Sequence, residues 1–71
     1  MAQGVFRRFK KGYYVTAEVI LVDSRTRERI TKLRRTKIFV YGEKNGVLKG
    51  RIVKDGREVE YENGEWLCFA G

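Results

Sequence analysis

Three dipeptides constrain this chain more than anything else in it: Asn45-Gly46, Asp55-Gly56 and Asn63-Gly64, each set between short runs of alternating apolar and polar residues. Asn-Gly and Asp-Gly supply the two positive-φ positions of a type I′ turn, whose twist matches that of the strands it joins. Three such turns in succession predict an antiparallel meander with strands at residues 36–41, 47–53, 57–61 and 65–69.

A two-residue turn also fixes which residues face each other, and side chains alternate between the two faces of a sheet. Asn63-Gly64 sets Tyr61 opposite Trp66 and Val59 opposite Cys68. Asp55-Gly56 sets Ile52 opposite Val59 and Gly50 opposite Tyr61, and Asn45-Gly46 sets Phe39 opposite Ile52 and Tyr41 opposite Gly50. The outcome is one uncharged face made of Phe39, Tyr41, Ile52, Val59, Tyr61, Trp66 and Cys68. On its reverse Lys49 meets Glu62 and Arg51 meets Glu60, cross-strand pairs of opposite charge.

Upstream, Tyr13, Val15, Ala17, Val19 and Leu21 form a second uncharged face, so residues 13–22 read as a long strand that covers the meander. Residues 5–10 read as a shorter strand joined to it through Lys11-Gly12. Within residues 24–35, Ile30 and Leu33 have opposite parity and cannot share one face of a regular strand. A bulged hairpin resolves this. The alternative is a short basic helix capped by Asp23 or Ser24, with a Glu28/Lys32 pair four residues apart. The fold expected is therefore all-β, a small antiparallel meander forming an open barrel of the SH3-like or OB-like size class. The alternative is α+β, with one short basic helix near 24–35.

With 71 residues, 42% of them hydrophobic, residues 1–71 make one domain with one small core. A single cysteine and no histidine exclude an intramolecular disulfide, a Cys/His zinc site, and the Ser-His or Cys-His pairs of nucleophilic catalysis. There is no glycine-rich phosphate loop. Glu58, Glu60 and Glu62 share one side of a strand but face cations, so they read as paired surface charge. Neither cofactor nor metal is expected. No apolar run approaches the ~18 residues of a membrane span, and the chain reads as cytoplasmic.

The functional signal is the distribution of charge. Residues 1–41 hold eleven Lys and Arg against three acids, whereas residues 42–71 hold five against six. The bases fall into two groups, Arg7, Arg8, Lys10 and Lys11, then Arg25, Arg27, Arg29, Lys32, Arg34, Arg35 and Lys37. Concentrated like charge costs stability, and a polyanion relieves it. In the second group arginine outnumbers lysine five to two, which suits bidentate phosphate contacts. These residues are the candidate nucleic-acid contacts, with Tyr14 as a candidate stacking side chain. Residues 36–41 are similar to the aromatic strand motif of RNA-recognition and cold-shock domains. Both glycines of that motif are missing, and the register above puts Phe39 and Tyr41 in the core, so the motif is not assigned. In size, charge and β content the chain is similar to small basic chromatin-type proteins and ribosome-associated barrels, a likeness without a motif behind it.

The expectation is a non-enzymatic nucleic-acid-binding module, for DNA or RNA, that holds the phosphate backbone with little sequence specificity. The alternative is a protein-interaction module, a homodimer or a subunit docking on an acidic partner, working through an edge strand or through Ile38, Val40 and Val53. A small histidine-free nuclease acting through Arg, Lys and Glu is the one enzymatic class left, and no spacing supports it.

Overall fold

The structure, a computed structural model, describes residues 6–70; the side chains of Phe6, Phe9 and Lys10 are outside the description, as is Val5, the expected start of the first strand. Five strands follow one another: β1 (Phe6–Asp23), β2 (Arg29–Lys44), β3 (Val47–Ile52), β4 (Glu58–Glu62) and β5 (Glu65–Ala70). No helix occurs among the described residues. The expected separate strands at 5–10 and 13–22 are continuous in β1.

Each strand pairs antiparallel with the next, and β5 returns to pair with β1, closing a barrel. Directions alternate along a meander, so with five strands the first and last run the same way. The closing pair is accordingly parallel, with Val19 beside Trp66 and Leu21 beside Cys68. Val19, Ile38, Val40, Ile52, Val59, Trp66 and Cys68 are buried in one cluster, padded by Val15, Ala17, Leu21, Leu33 and Leu48.

Asn45-Gly46 and Asn63-Gly64 take the expected turns, with φ of 53 and 80 at the first and 50 and 80 at the second. Tyr61 faces Trp66 as expected. Asp55-Gly56 differs. There the loop has four residues, 53–56, closed by Ile52 N donating to Arg57 O (2.8 Å) and Gly56 N donating to Ile52 O (2.7 Å), with only Gly56 at positive φ. The register of β3 against β4 moves by two residues, so Gly50 faces Val59 and Arg51 faces Glu58. A shift of two preserves the faces. The salt bridges change partners with it, to Lys49–Glu60 and Arg51–Glu58, both 2.8 Å.

A larger departure comes from a bulge. Gly42 faces Lys49, but Val40 faces Gly50, leaving Tyr41 as an extra residue on β2. Parity inverts beyond it. Ile38 and Val40, expected outside, are fully buried, while Phe39 and Tyr41, expected in the core, are only half-buried. The apolar outer face proposed for a protein partner is thereby removed, since of Ile38, Val40 and Val53 only Val53, in the 53–56 loop, is exposed. Two more irregularities resolve the parity problem of residues 24–35. Glu18 opposes both Arg34 and Arg35, and Ile30 is extra between the Leu21/Thr31 and Val22/Arg29 pairs. These let Leu33 pack on the core while Ile30 stays 58% exposed.

Candidate nucleic-acid interface

The β1–β2 hairpin carries most of the charge, and its loop is built like the 53–56 loop. Asp23 N donates to Glu28 O (2.8 Å) and Arg27 N to Asp23 O (2.7 Å). The Asp23 carboxylate accepts from Arg25 N (2.8 Å) and Thr26 N (3.2 Å), the local hydrogen bonding that suits Asp to a turn. Arg27 occupies the position that Gly56 fills in the other loop, with φ 68 against 78. Its guanidinium carbon lies 5.1 Å from the centre of the Phe69 ring.

Beyond the Ile38/Ile52 pair β3 ends, and β2 continues without a neighbour strand on that side. Residues 32–37 and the segment 52–57 flank a groove of about 810 Å³. Lys32, Arg34, Arg35, Lys37, Lys54 and Arg57 line it, against one acid, Asp55, and Leu33, Ile52 and Val53 supply apolar wall. A backbone bond from Val53 N to Lys37 O (3.0 Å) ties the two sides together. Asp55 is engaged locally. It accepts from Arg57 N (3.0 Å) and Arg57 Nε (2.8 Å), and the backbone bond foremost holds its carboxyl below the usual range. Lys32 is 3.8 Å from Glu18. Arg34, Arg35, Lys37 and Lys54 have no acidic partner among the described residues.

Beside the groove, the outer face of β1–β2–β3 carries aromatic side chains. Tyr14 and Phe39 are cross-strand partners with ring centres 5.1 Å apart and planes at 49°. Tyr14 is 61% exposed, and Lys37 Nζ sits 5.1 Å from its centre. Further along, Tyr41 donates to a Glu58 carboxylate oxygen, Arg51 Nε donates to the other (2.8 Å), and the Arg51 guanidinium carbon lies 5.0 Å from the Tyr41 ring. Burial above all, then the bond to Glu58, raises the Tyr41 phenol above its ordinary value.

The twelve residues singled out in the sequence do not form one surface. Lys32, Arg34, Arg35 and Lys37 converge on the groove and Tyr14 adjoins it through Lys37. Arg25 and Arg27 lie at the hairpin loop. Arg29 is engaged elsewhere, in a bidentate bridge to Glu65 (3.0 and 2.8 Å) that holds the Glu65 carboxyl below its usual range. Arg7, Arg8 and Lys11 are exposed at the other end of the ribbon, where Arg7 pairs in register with Glu43. The Lys10 side chain is outside the described residues. Lys54 and Arg57 belong to the groove but were hidden by the near-neutral balance of the C-terminal half. Among the described residues no group of His, Cys, Asp and Glu could hold a metal ion, and no helix is long and apolar enough to cross a membrane.

Comparison with protein families, curated proteins and solved structures yields no match.

Proposed function

We propose that this protein is a non-catalytic nucleic-acid-binding module of the cytoplasm that holds a phosphate backbone in the groove between residues 32–37 and 52–57. The observation that carries this reading is the contrast in pairing. Lys49 and Arg51 are bound to Glu60 and Glu58, and Arg29 is bound to Glu65, whereas Arg34, Arg35, Lys37 and Lys54 converge without an acid to balance them. Such a concentration of charge favours a polyanion, and guanidinium groups suit phosphate oxygens bidentately. Backbone contacts of this kind fix position without reading sequence, so broad specificity is expected.

Backbone conformation supports the same region at Arg35, while Arg27 takes the turn position of its own loop. Four described residues other than glycine have positive φ, namely Asn45, Asn63, Arg27 and Arg35. Asparagine tolerates that conformation, while arginine adopts it at a cost of about 1–2 kcal/mol. Strain of this kind concentrates at functional sites.

An acidic protein surface is the competing partner for the same cations. Titration of labelled oligonucleotides followed by fluorescence anisotropy tests the reading against it. Replacing Arg34, Arg35 and Lys54 together by glutamine is expected to weaken binding roughly tenfold or more, since phosphate neutralisation supplies most non-specific affinity. Lys49→Gln, on the paired face, is expected to leave it unchanged. No binding by the unaltered protein, or equal binding by the triple variant, would reject the proposal.

A further inference from the structure

We infer that Tyr14, backed by Phe39, is a stacking platform for unpaired bases, so that the protein takes single-stranded nucleic acid in preference to duplex; this rests on the backbone-binding reading above.

Tyr14 lies on the outer face of a closed barrel whose core is on the other side, and it is 61% exposed. Core packing does not require an aromatic ring there. Its position is nevertheless fixed. Phe39 stands across the strand pair at 5.1 Å and itself lies over Gly12, whose missing side chain leaves room for the ring. The platform is therefore held before any base arrives, which reduces the ordering cost of stacking.

Lys37 joins the two parts of the surface. It lines the groove and also sits over the Tyr14 ring, with Nζ 5.1 Å from the centre. A base arriving on Tyr14 displaces an exposed cation–π contact with a stronger stacking contact, and the freed ammonium is then next to the phosphates in the groove. The chemistry recognised is thus an unpaired base with its adjoining backbone. A duplex offers the same phosphates but keeps its base faces stacked inside, so the ring gains nothing from it. Tyr41 is excluded from the platform, because its hydroxyl and ring are engaged by Glu58 and Arg51.

The test is anisotropy titration of three labelled probes of about 12 nucleotides, within the range one small barrel covers: oligo-uridine, oligo-thymidine and a duplex. The full chain is compared with Tyr14→Ala, Tyr14→Trp and the Arg34/Arg35/Lys54 glutamine variant. Far-ultraviolet circular dichroism verifies that each is folded. The expected result is tighter binding of single strands than of duplex, with Tyr14→Ala weakening single-strand binding roughly tenfold and Tyr14→Trp restoring it. Removing Tyr14 should also leave the salt dependence unaltered, since no charge is lost. Tyr14→Ala binding single strands as tightly as the unaltered chain overturns the platform. If the glutamine variant is then still weak, the backbone reading survives; if nothing binds any probe, both fall.

Discussion

At the scale of single residues, Arg27 and Arg35 stand out because each holds a conformation better suited to glycine. Arg35→Gly relieves about 1–2 kcal/mol of backbone strain and adds back about 0.5–1 kcal/mol of chain entropy. Chemical denaturation should therefore find the variant no less stable, and by up to about 1.5 kcal/mol more stable. Nucleic-acid binding should weaken in the same variant, an opposition of sign that a purely structural arginine would not produce. Cys68 governs a different property. It is 1% exposed, and burial pushes its thiol above the ordinary value. The folded chain then holds this proton more tightly than the unfolded one. Its contribution is complete below the ordinary thiol range and is lost as pH rises through that range and beyond. Unfolding followed by Trp66 emission should show stability falling there, and Cys68→Ala should flatten the early part of the fall, before the Tyr41 phenol begins to ionise. The sequence names every cation, but not which ones are engaged. Arg29 finds Glu65 across the barrel closure, a contact no local pattern encodes.

At the scale of elements, the two Asn-Gly hairpins were legible because their turn chemistry is local. Asp55-Gly56 was not, because a single left-handed glycine serves the four-residue loop as well as the tight turn. The consequence was mild, a shift of two that kept Ile52 and Val59 inside. The Tyr41 bulge had the larger effect. A single extra residue exchanged Ile38 and Val40 for Phe39 and Tyr41, and with them the core face for the outer one. Aromatic alternation at 36–41 is equally compatible with either face, so the strip beside the groove could not be read in advance. Gly12 is the local device that accommodates it. A Cβ there would strike the Phe39 ring and come within 2.6 Å of the Val40 carbonyl oxygen, which is backbone and cannot swing away. Gly12→Ala should cost about 1–3 kcal/mol, as overpacking does. Urea unfolding measures it. An unchanged midpoint would mean that Phe39 does not rest on β1.

At the scale of the whole molecule, closure and charge act together. The bulges bury Ile38 and Val40, so the apolar outer face expected to meet a protein partner is gone, while β1 before Val19 and β2 before Ile38 keep a strand neighbour on one side only. What remains is the net charge of +7 and its uneven pairing. Acids of the C-terminal half neutralise Lys49, Arg51, Arg29 and Arg57, and the excess is left around the groove. The half-to-half asymmetry was legible as a count, but the groove was not, because it joins the middle of β2 to a loop that follows β3.

The most direct measurement of the central claim is the salt dependence of binding to single-stranded and duplex oligonucleotides between about 50 and 200 mM, where counterion release acts strongly. If the four cations of the groove that lack an acidic partner among the described residues, Arg34, Arg35, Lys37 and Lys54, each neutralise a phosphate, the log–log slope should be roughly −3 on a single strand and roughly −4 on duplex. The Arg34/Arg35/Lys54 glutamine variant should bring the slope down by about 2 on a single strand. A slope near zero, or a steep one that the variant leaves unchanged, would contradict the account and assign the charge of this groove to some other purpose.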